Sequence, residues 1–161
     1  DRIKVLPSGF KSTIKTIEIN GKNIEEAYSP MSVSVTLKDD LDISRGDMIV
    51  KENNVPVISQ DLDLMICWMD SANLKSRKKV IIKHTTNECM GMITDILYKL
   101  DINTLHSIKD SENFKLNDIG RIKIRSSKPL FYDSYKKNRH TGSIILIDPN
   151  TNATIAAGMI I

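Results

Sequence analysis

Gly9-Phe10-Lys11-Ser12 has the look of the end of a phosphate-binding loop. A working loop reads G-x-x-x-x-G-K-[ST], so that successive backbone amides wrap the phosphates. Here Lys11 follows Phe10, the earlier glycine is missing, and no helix-like run comes next. The residues predict a turn between two strands. Arg45-Gly46-Asp47 is the adhesion tripeptide, and Asn152-Ala153-Thr154 is a glycosylation sequon. The first reads as a tight turn entering a strand at Met48–Val50, and the second as coincidence, since nothing else points to secretion. His84, His106 and His140 lie far apart, and neither Cys67 nor Cys89 belongs to a short ligand cluster. Asp39, Asp40 and Asp42 lack the regular spacing of an oxygen-rich metal loop and read as solvated. No Ser/His/Asp or Cys/His set and no paired carboxylates stand out. The expectation is that this chain holds no catalytic, cofactor-binding or metal-ligating residue.

The segment from Arg121 to His140 carries more weight. It holds Arg121, Lys123, Arg125, Lys128, Lys136, Lys137 and Arg139 against Asp133 alone. Arg121, Lys123 and Arg125 line one face of a strand, and Phe131, Tyr132 and Tyr135 lie among the charges. Basic residues interleaved with aromatics can grip RNA or another polyanion. The plainer reading is the solvated face of an antiparallel sheet.

These residues need strands to position them, and strand patterning runs through the chain. Val33, Val35 and Leu37 alternate with polar residues, and so do Ile122 and Ile124. Leu62, Leu64, Ile66 and Trp68 share one face across Asp63, Met65 and Cys67. Such alternation marks a half-buried strand. Further strands are expected at Ser12–Ile19, Lys79–Lys83, Ser143–Ile147 and Ala153–Ile161. Asn20-Gly21 and Asp148-Pro149-Asn150 supply turns between them. From Met92 to Leu100 the apolar set Ile93, Ile96, Leu97 and Leu100 fits a helix, while Met92, Ile96, Tyr98 and Leu100 fit a strand. The strand-like neighbours favour strand. Many short strands with turns between them suggest barrels or sandwiches.

The chain has 161 residues, 40% apolar, 27% charged and only 5% aromatic, with a net charge of +3. It can bury an aliphatic core, and its mild charge does not by itself argue for nucleic acid. No apolar run approaches the roughly 18 residues of a membrane span. Two cysteines make no disulfide framework, so a reduced, cytoplasmic setting is expected. A polar break at Lys51–Pro56 divides the chain. Residues 1–54 hold 8 Lys/Arg and 9 Asp/Glu, the remainder 15 and 11. The first piece is short for a free-standing β domain. Asp1 opens almost directly into a strand-like run, which suggests a piece of a longer protein.

One ordered set of residues is specific. Lys4-Val5-Leu6-Pro7-Ser8-Gly9, Glu25-Glu26-Ala27 and Asp42-Ile43-Ser44-Arg45-Gly46-Asp47 are followed by Cys67-Trp68-Met69 and Tyr98-Lys99-Leu100-Asp101-Ile102-Asn103. Then come Leu116-Asn117-Asp118-Ile119-Gly120, Lys128-Pro129-Leu130 with Asp133 and Tyr135, Thr141-Gly142, Ile147-Asp148 and Ala157-Gly158-Met159-Ile160. This set resembles the large subunit of bacterial sulfate adenylyltransferase, a GTPase family related to elongation factor Tu. The resemblance implies an all-β fold: an incomplete second β-barrel over residues 1–54, then a complete elongation-factor-Tu-like antiparallel barrel over residues 55–161. It also implies strand at Met92–Leu100.

In that family a GTPase domain precedes two barrels and holds the phosphate loop, the switches, GTP and Mg. None of those motifs has a counterpart here, so no cofactor is expected in this piece. The implied parent is a nucleotidyltransferase complex that couples GTP hydrolysis to formation of adenosine 5'-phosphosulfate from ATP and sulfate. Its barrels carry no catalytic residue. The implied partners are the catalytic small subunit and the parent's own GTPase domain, with no membrane and no nucleic acid. Self-association of the truncated barrel is also expected, because missing strands leave the face of Val33, Val35 and Leu37, with Ile17 and Ile19, uncovered. The alternative is a tRNA-binding barrel module of a translation GTPase. Leu6-Pro7-Ser8-Gly9, Cys67-Trp68-Met69 and Asp101-Ile102-Asn103 look like the sulfate branch and find no good match in the translation branch.

Overall fold

The computed structural model describes residues 1–109 and 114–161, and they divide into two units, Asp1–Val55 and Pro56–Ile161. The first unit has five strands: β1 (Arg2–Leu6), β2 (Lys11–Ile19), β3 (Lys22–Ile24), β4 (Ser34–Leu37) and β5 (Met48–Lys51). β1 lies between β2 and β5, and β2 also pairs with β3 and β4, all antiparallel. The β2–β3 hairpin turns on Asn20-Gly21, with Ile19 opposite Lys22. Both turn residues have positive φ, 49° and 75°, as a two-residue hairpin of the favoured twist requires. Ile3, Val5 and Leu6 are this unit's buried apolar residues. Ile17 and Ile19 are half-buried, and so are Val33 and Leu37, while Val35 is 38% exposed.

The second unit is a closed barrel. Its strands are β6 (Val57–Trp68), β7 (Lys79–His84), β8 (Asn87–Leu100), β9 (Ser107–Ile108), β10 (Ile119–Tyr132), β11 (Ser143–Ile147) and β12 (Thr154–Ile160). A single helical turn, α1 (Arg139–Gly142), precedes β11. The order is β10-β6-β12-β11-β7-β8-β9, and β10 also pairs with β8. That pairing closes six antiparallel strands into a ring, which leaves those strands no open edge. Register shifts in β10 at Arg121/Ile122, Lys123/Ile124 and Arg125/Leu130 let this long strand bend around the ring.

Alternation along the strands fills the barrel. Leu62, Leu64, Ile66 and Trp68 of β6 point inward, each at most 2% exposed, and pack with Ile122 and Ile124 of β10. The indole N–H of Trp68 donates to the Ala72 carbonyl at 2.8 Å, so its burial leaves no donor unmet. At Gly120 neighbouring strands leave no room for a side chain. A Cβ there would run into the Tyr98 carbonyl and the Phe114 ring.

Met92–Leu100 is strand, within β8, as the strand-like neighbours and the resemblance imply. The inward set differs in phase from the expected one. Ile93 is fully buried and Met92 is 39% exposed, because the bulges against β10 change the parity partway along β8. Ser143–Ile147 is found with the expected ends. The Arg121–Arg125 strand runs on to Tyr132, which takes in Lys128, Phe131 and Tyr132.

Candidate functional site

The basic face of β10 meets an acidic face of β6. In the β6–β10 register Arg121 lies two positions from Asp63 and Arg125 stands directly opposite Asp61. The Arg121 guanidinium grips Asp63 with two bonds, Nε to Oδ1 at 2.8 Å and Nη2 to Oδ2 at 2.7 Å. This bidentate pair, helped by Tyr98, pushes the Arg121 pKa further up. Arg125 Nη1 donates to both Asp61 oxygens at 3.0 and 3.1 Å. On the other side of β10, Lys123 stands opposite Asp95 of β8. A groove of about 420 Å³ lies along these charges. The basic stripe is therefore half of a compensated ladder of opposite charges.

The aromatics are not free to stack on bases either. Phe131 is 4% exposed and belongs to the interior. Tyr132 is half-buried and packs against the core, and burial raises its hydroxyl pKa. Tyr135 carries the Arg139 guanidinium at 5.9 Å from its ring centre, and Lys137 pairs with Asp133 at 2.6 Å. Lys136 and Lys128 are exposed. The structure thus brings the expected basic and aromatic residues near one another but commits most of them to partners within the barrel.

The other candidates fall in turns and strand ends. Gly9, with φ 79°, closes the β1–β2 turn and donates its N–H to the Val5 carbonyl at 2.7 Å. Lys11 pairs with Glu52 at 2.7 Å, which lowers the Glu52 pKa, and Ser12 donates to Asp39 at 2.7 Å. The donors a phosphate would use are thus spent within the unit. Arg45-Gly46-Asp47 is a tight turn: the Ser44 N–H donates to the Asp47 carboxylate at 2.9 Å and the Asp47 N–H donates to the Ser44 carbonyl at 3.0 Å. Asn152 sits at positive φ in the Asp148–Asn152 turn. Among the described residues, no group of three His, Cys, Asp or Glu side chains could hold a metal ion.

His84 is at a strand end, at the close of β7, but it is also buried at 2% exposure. Its Nε2 lies 2.7 Å from the Thr141 carbonyl. A carbonyl only accepts, so Nε2 carries the proton and donates. Burial pushes the imidazole pKa down. Cys89 is buried and its thiol pKa is pushed up by that burial, the reverse of a reactive cysteine.

Sequence reasoning used Asp101-Ile102-Asn103 only as a mark of family resemblance and did not read the tip joining β8 to β9 as a surface feature. Asp101 builds it. Its Oδ1 accepts the N–H of Asn103 at 2.8 Å and of Thr104 at 3.2 Å, and these bonds hold the carboxyl pKa below its usual range. The Asp101 carbonyl accepts the Leu105 N–H at 2.7 Å, and the Asp101 N–H donates to the His106 carbonyl at 2.9 Å. Leu105 takes φ 59°. Ile102 and Leu105 are 67% and 72% exposed. The Asp-x-Asn spelling was the available signal, since it favours a side-chain-capped turn.

A closed six-stranded barrel with these strand crossings has counterparts. The family model described as GTP-eEF1A C-terminal domain-like matches residues 61–161, and the chain belongs to that family. The chain is 46% identical over 162 residues to the bifunctional enzyme CysN/CysC of Mycobacterium tuberculosis strain H37Rv, covering 100% of this chain and 26% of that protein. It is 41% identical over 169 residues to sulfate adenylyltransferase subunit 1 of Bacteroides thetaiotaomicron, covering 100% of this chain and 35% of that one. The chain thus spans between a quarter and about a third of these relatives. Sup35 complexed with GDP superposes with a TM-score of 0.87 over 100% of this chain and 40% of that one. At 15% identity that likeness speaks for the elongation-factor-Tu-like fold alone. Among the described residues no helix is long and apolar enough to cross a membrane.

Proposed function

We propose that this chain is the barrel region of the large, GTP-hydrolysing subunit of a sulfate adenylyltransferase. Residues 1–54 are the latter part of its second domain and residues 55–161 its third. The parent complex is a cytoplasmic nucleotidyltransferase that couples GTP hydrolysis to synthesis of adenosine 5'-phosphosulfate from ATP and sulfate. In it the barrels carry no catalytic group. They transmit movement between the parent's GTPase domain, which holds GTP and Mg, and the catalytic small subunit. The observation that carries this reading is identity of 46% and 41% over the whole chain to the bifunctional enzyme CysN/CysC and to sulfate adenylyltransferase subunit 1. The internal use of Gly9, Lys11 and Ser12 agrees with a nucleotide site lying elsewhere in the parent.

A second reading, an RNA-holding barrel of a translation GTPase, draws on the basic stretch that ends in Lys136, Lys137 and Arg139. The pairing of Arg121 and Arg125 with Asp63 and Asp61 weighs against it. The test is to express the parent gene with the gene for its small subunit and supply ATP, sulfate and GTP. Adenylylsulfate formation that rises with GTP is expected. Absence of that activity, together with salt-sensitive tRNA binding, would favour the second reading.

A further inference from the structure

An asparagine is followed by glycine at a single place in the chain, Asn20-Gly21 at the β2–β3 turn. Both residues are exposed. Among the described residues nothing binds the Asn20 side-chain amide, whereas the Asn138 side-chain oxygen accepts the His140 N–H at 3.0 Å. A Cβ placed on Gly21 would meet no atom within 4 Å. Neither a hydrogen bond nor a packed neighbour shields the Asn20 side-chain carbonyl carbon from the backbone nitrogen of Gly21.

Asn117 and Asn152 make the comparison. They too take positive φ, 67° and 58° against 49° at Asn20. Asp118 and Ala153 follow them, and a side chain on the following residue crowds the approach to its own nitrogen. The Asn117 and Asn152 N–H groups donate to the Trp68 and Asp148 carbonyls at 2.8 and 2.9 Å, which ties both turns down. The Asn20 turn is held more loosely. β3 is three residues long and ends its sheet, and its pairs are Ile17–Ile24, Glu18–Asn23 and Ile19–Lys22. So short an edge pair opens locally at low cost, which frees the torsions of the turn.

The chemistry open to this pair needs only water. The Gly21 backbone nitrogen adds to Asn20 Cγ, and a C–N bond forms. The Cγ–Nδ2 bond breaks, and the side-chain nitrogen leaves as ammonia with the proton that the Gly21 amide gives up. Water then opens the resulting cyclic imide at either of its carbonyls. Opening at Cγ gives aspartate. Opening at the backbone carbonyl gives isoaspartate, in which the main chain runs through the former side chain. Nothing is oxidised or reduced.

We propose that Asn20-Gly21 is a self-modifying site, which deamidates in the folded protein to an aspartyl form that keeps the β2–β3 hairpin and an isoaspartyl form that releases β3. Asp-Gly suits the same two-residue turn as Asn-Gly. A main chain lengthened by a methylene does not, because loop length fixes the Ile19–Lys22 register. In the isoaspartyl form Ile17 and Ile19 lose their partners Ile24 and Lys22.

The experiment incubates the full-length protein, folded and separately in urea, at mildly alkaline pH. Peptide mass spectrometry reads the conversion of amide to acid at each asparagine, and an isoaspartate methyltransferase labels the isoaspartyl product. In the folded protein Asn20 should convert at least about tenfold faster than Asn117 or Asn152. Its rate should stay within about tenfold of the rate in urea, because the turn opens readily. The rate should also climb steeply with pH, since the attacking nitrogen must lose its proton. Conversion at Asn20 no faster than at Asn117 and Asn152, or conversion in urea alone, overturns the proposal. Ion exchange then separates the isoforms for hydrogen exchange. Freshly purified Asn20→Asp should protect the β2–β3 amides as the wild type does, and the isoaspartyl isoform should lose that protection. Protection lost in Asn20→Asp, or kept in the isoaspartyl isoform, overturns the assigned fates of the hairpin.

Discussion

Along β6, residues Leu62, Leu64, Ile66 and Trp68 are sealed inside a ring of six strands. Along residues 33–37 the same alternation, Val33, Val35 and Leu37, leaves one valine 38% exposed and the other two residues half-buried. The first unit buries Ile3, Val5 and Leu6, while the barrel buries a contiguous cluster that runs from Leu62 to Ile160. Alternation says that a strand has an apolar face. Whether that face becomes a core depends on closure, which is a property of the whole set of strands. In the first unit β5 pairs with β1 along one edge only.

Local stability should follow this difference. Hydrogen exchange should be much faster for amides of β4 and β5 than for those of β6 and β10, and limited proteolysis should cut within Ser29–Lys51 before Lys79–Ile161. Equal protection in a strictly monomeric chain would break the comparison. Next in size, Trp68→Ala removes a fully buried indole and should cost about 3–5 kcal/mol of barrel stability in denaturant unfolding. Gly120→Ala should cost about 1–3 kcal/mol, because the added methyl meets the Tyr98 backbone, which has no room to retreat.

His84 gives a smaller, pH-dependent effect. Its pKa in the fold lies below the ordinary value near 6.5, so the neutral buried form stabilises the barrel fully above that value. That stability is lost as pH falls below about 6.5 towards the lower native pKa. The midpoint of unfolding should drop across that window in the wild type and drop less in His84→Gln. The smallest change should be Val35→Ala, within about 0.5 kcal/mol, since the side chain already faces water. A loss above about 2 kcal/mol would mean that Val35 has a covering partner.

Much of the fold was legible because period-two patterning is local. Ser143–Ile147 and the β6 core face are as the alternation implies. The resemblance added what local pattern lacks, that the strands close into a barrel. The phase of β8 was not legible, since a bulge depends on the partner strand and Met92 and Ile93 are equally apolar in sequence. The meaning of Arg121 and Arg125 was hidden for a related reason. Their partners Asp63 and Asp61 lie 58 and 64 residues away, and nothing within either segment announces the register that joins them. Read alone, each segment looks like a charged surface of one sign. The tip at Ile102 and Leu105 was missed because isolated apolar residues in a polar loop give no period at all.

The ladder of Asp61, Asp63 and Asp95 against Arg125, Arg121 and Lys123 has a consequence at long range. Alternating charges a few ångströms apart cancel within a Debye length, about 8 Å at physiological ionic strength. A polyanion drifting past this wall meets little net field, so few condensed counterions would be displaced by contact. Any association through this face should vary only weakly with added salt, unlike that of a protein that neutralises a run of phosphates. In solution the wall should behave as an electrically quiet surface, and neither attract nor repel a polyanion.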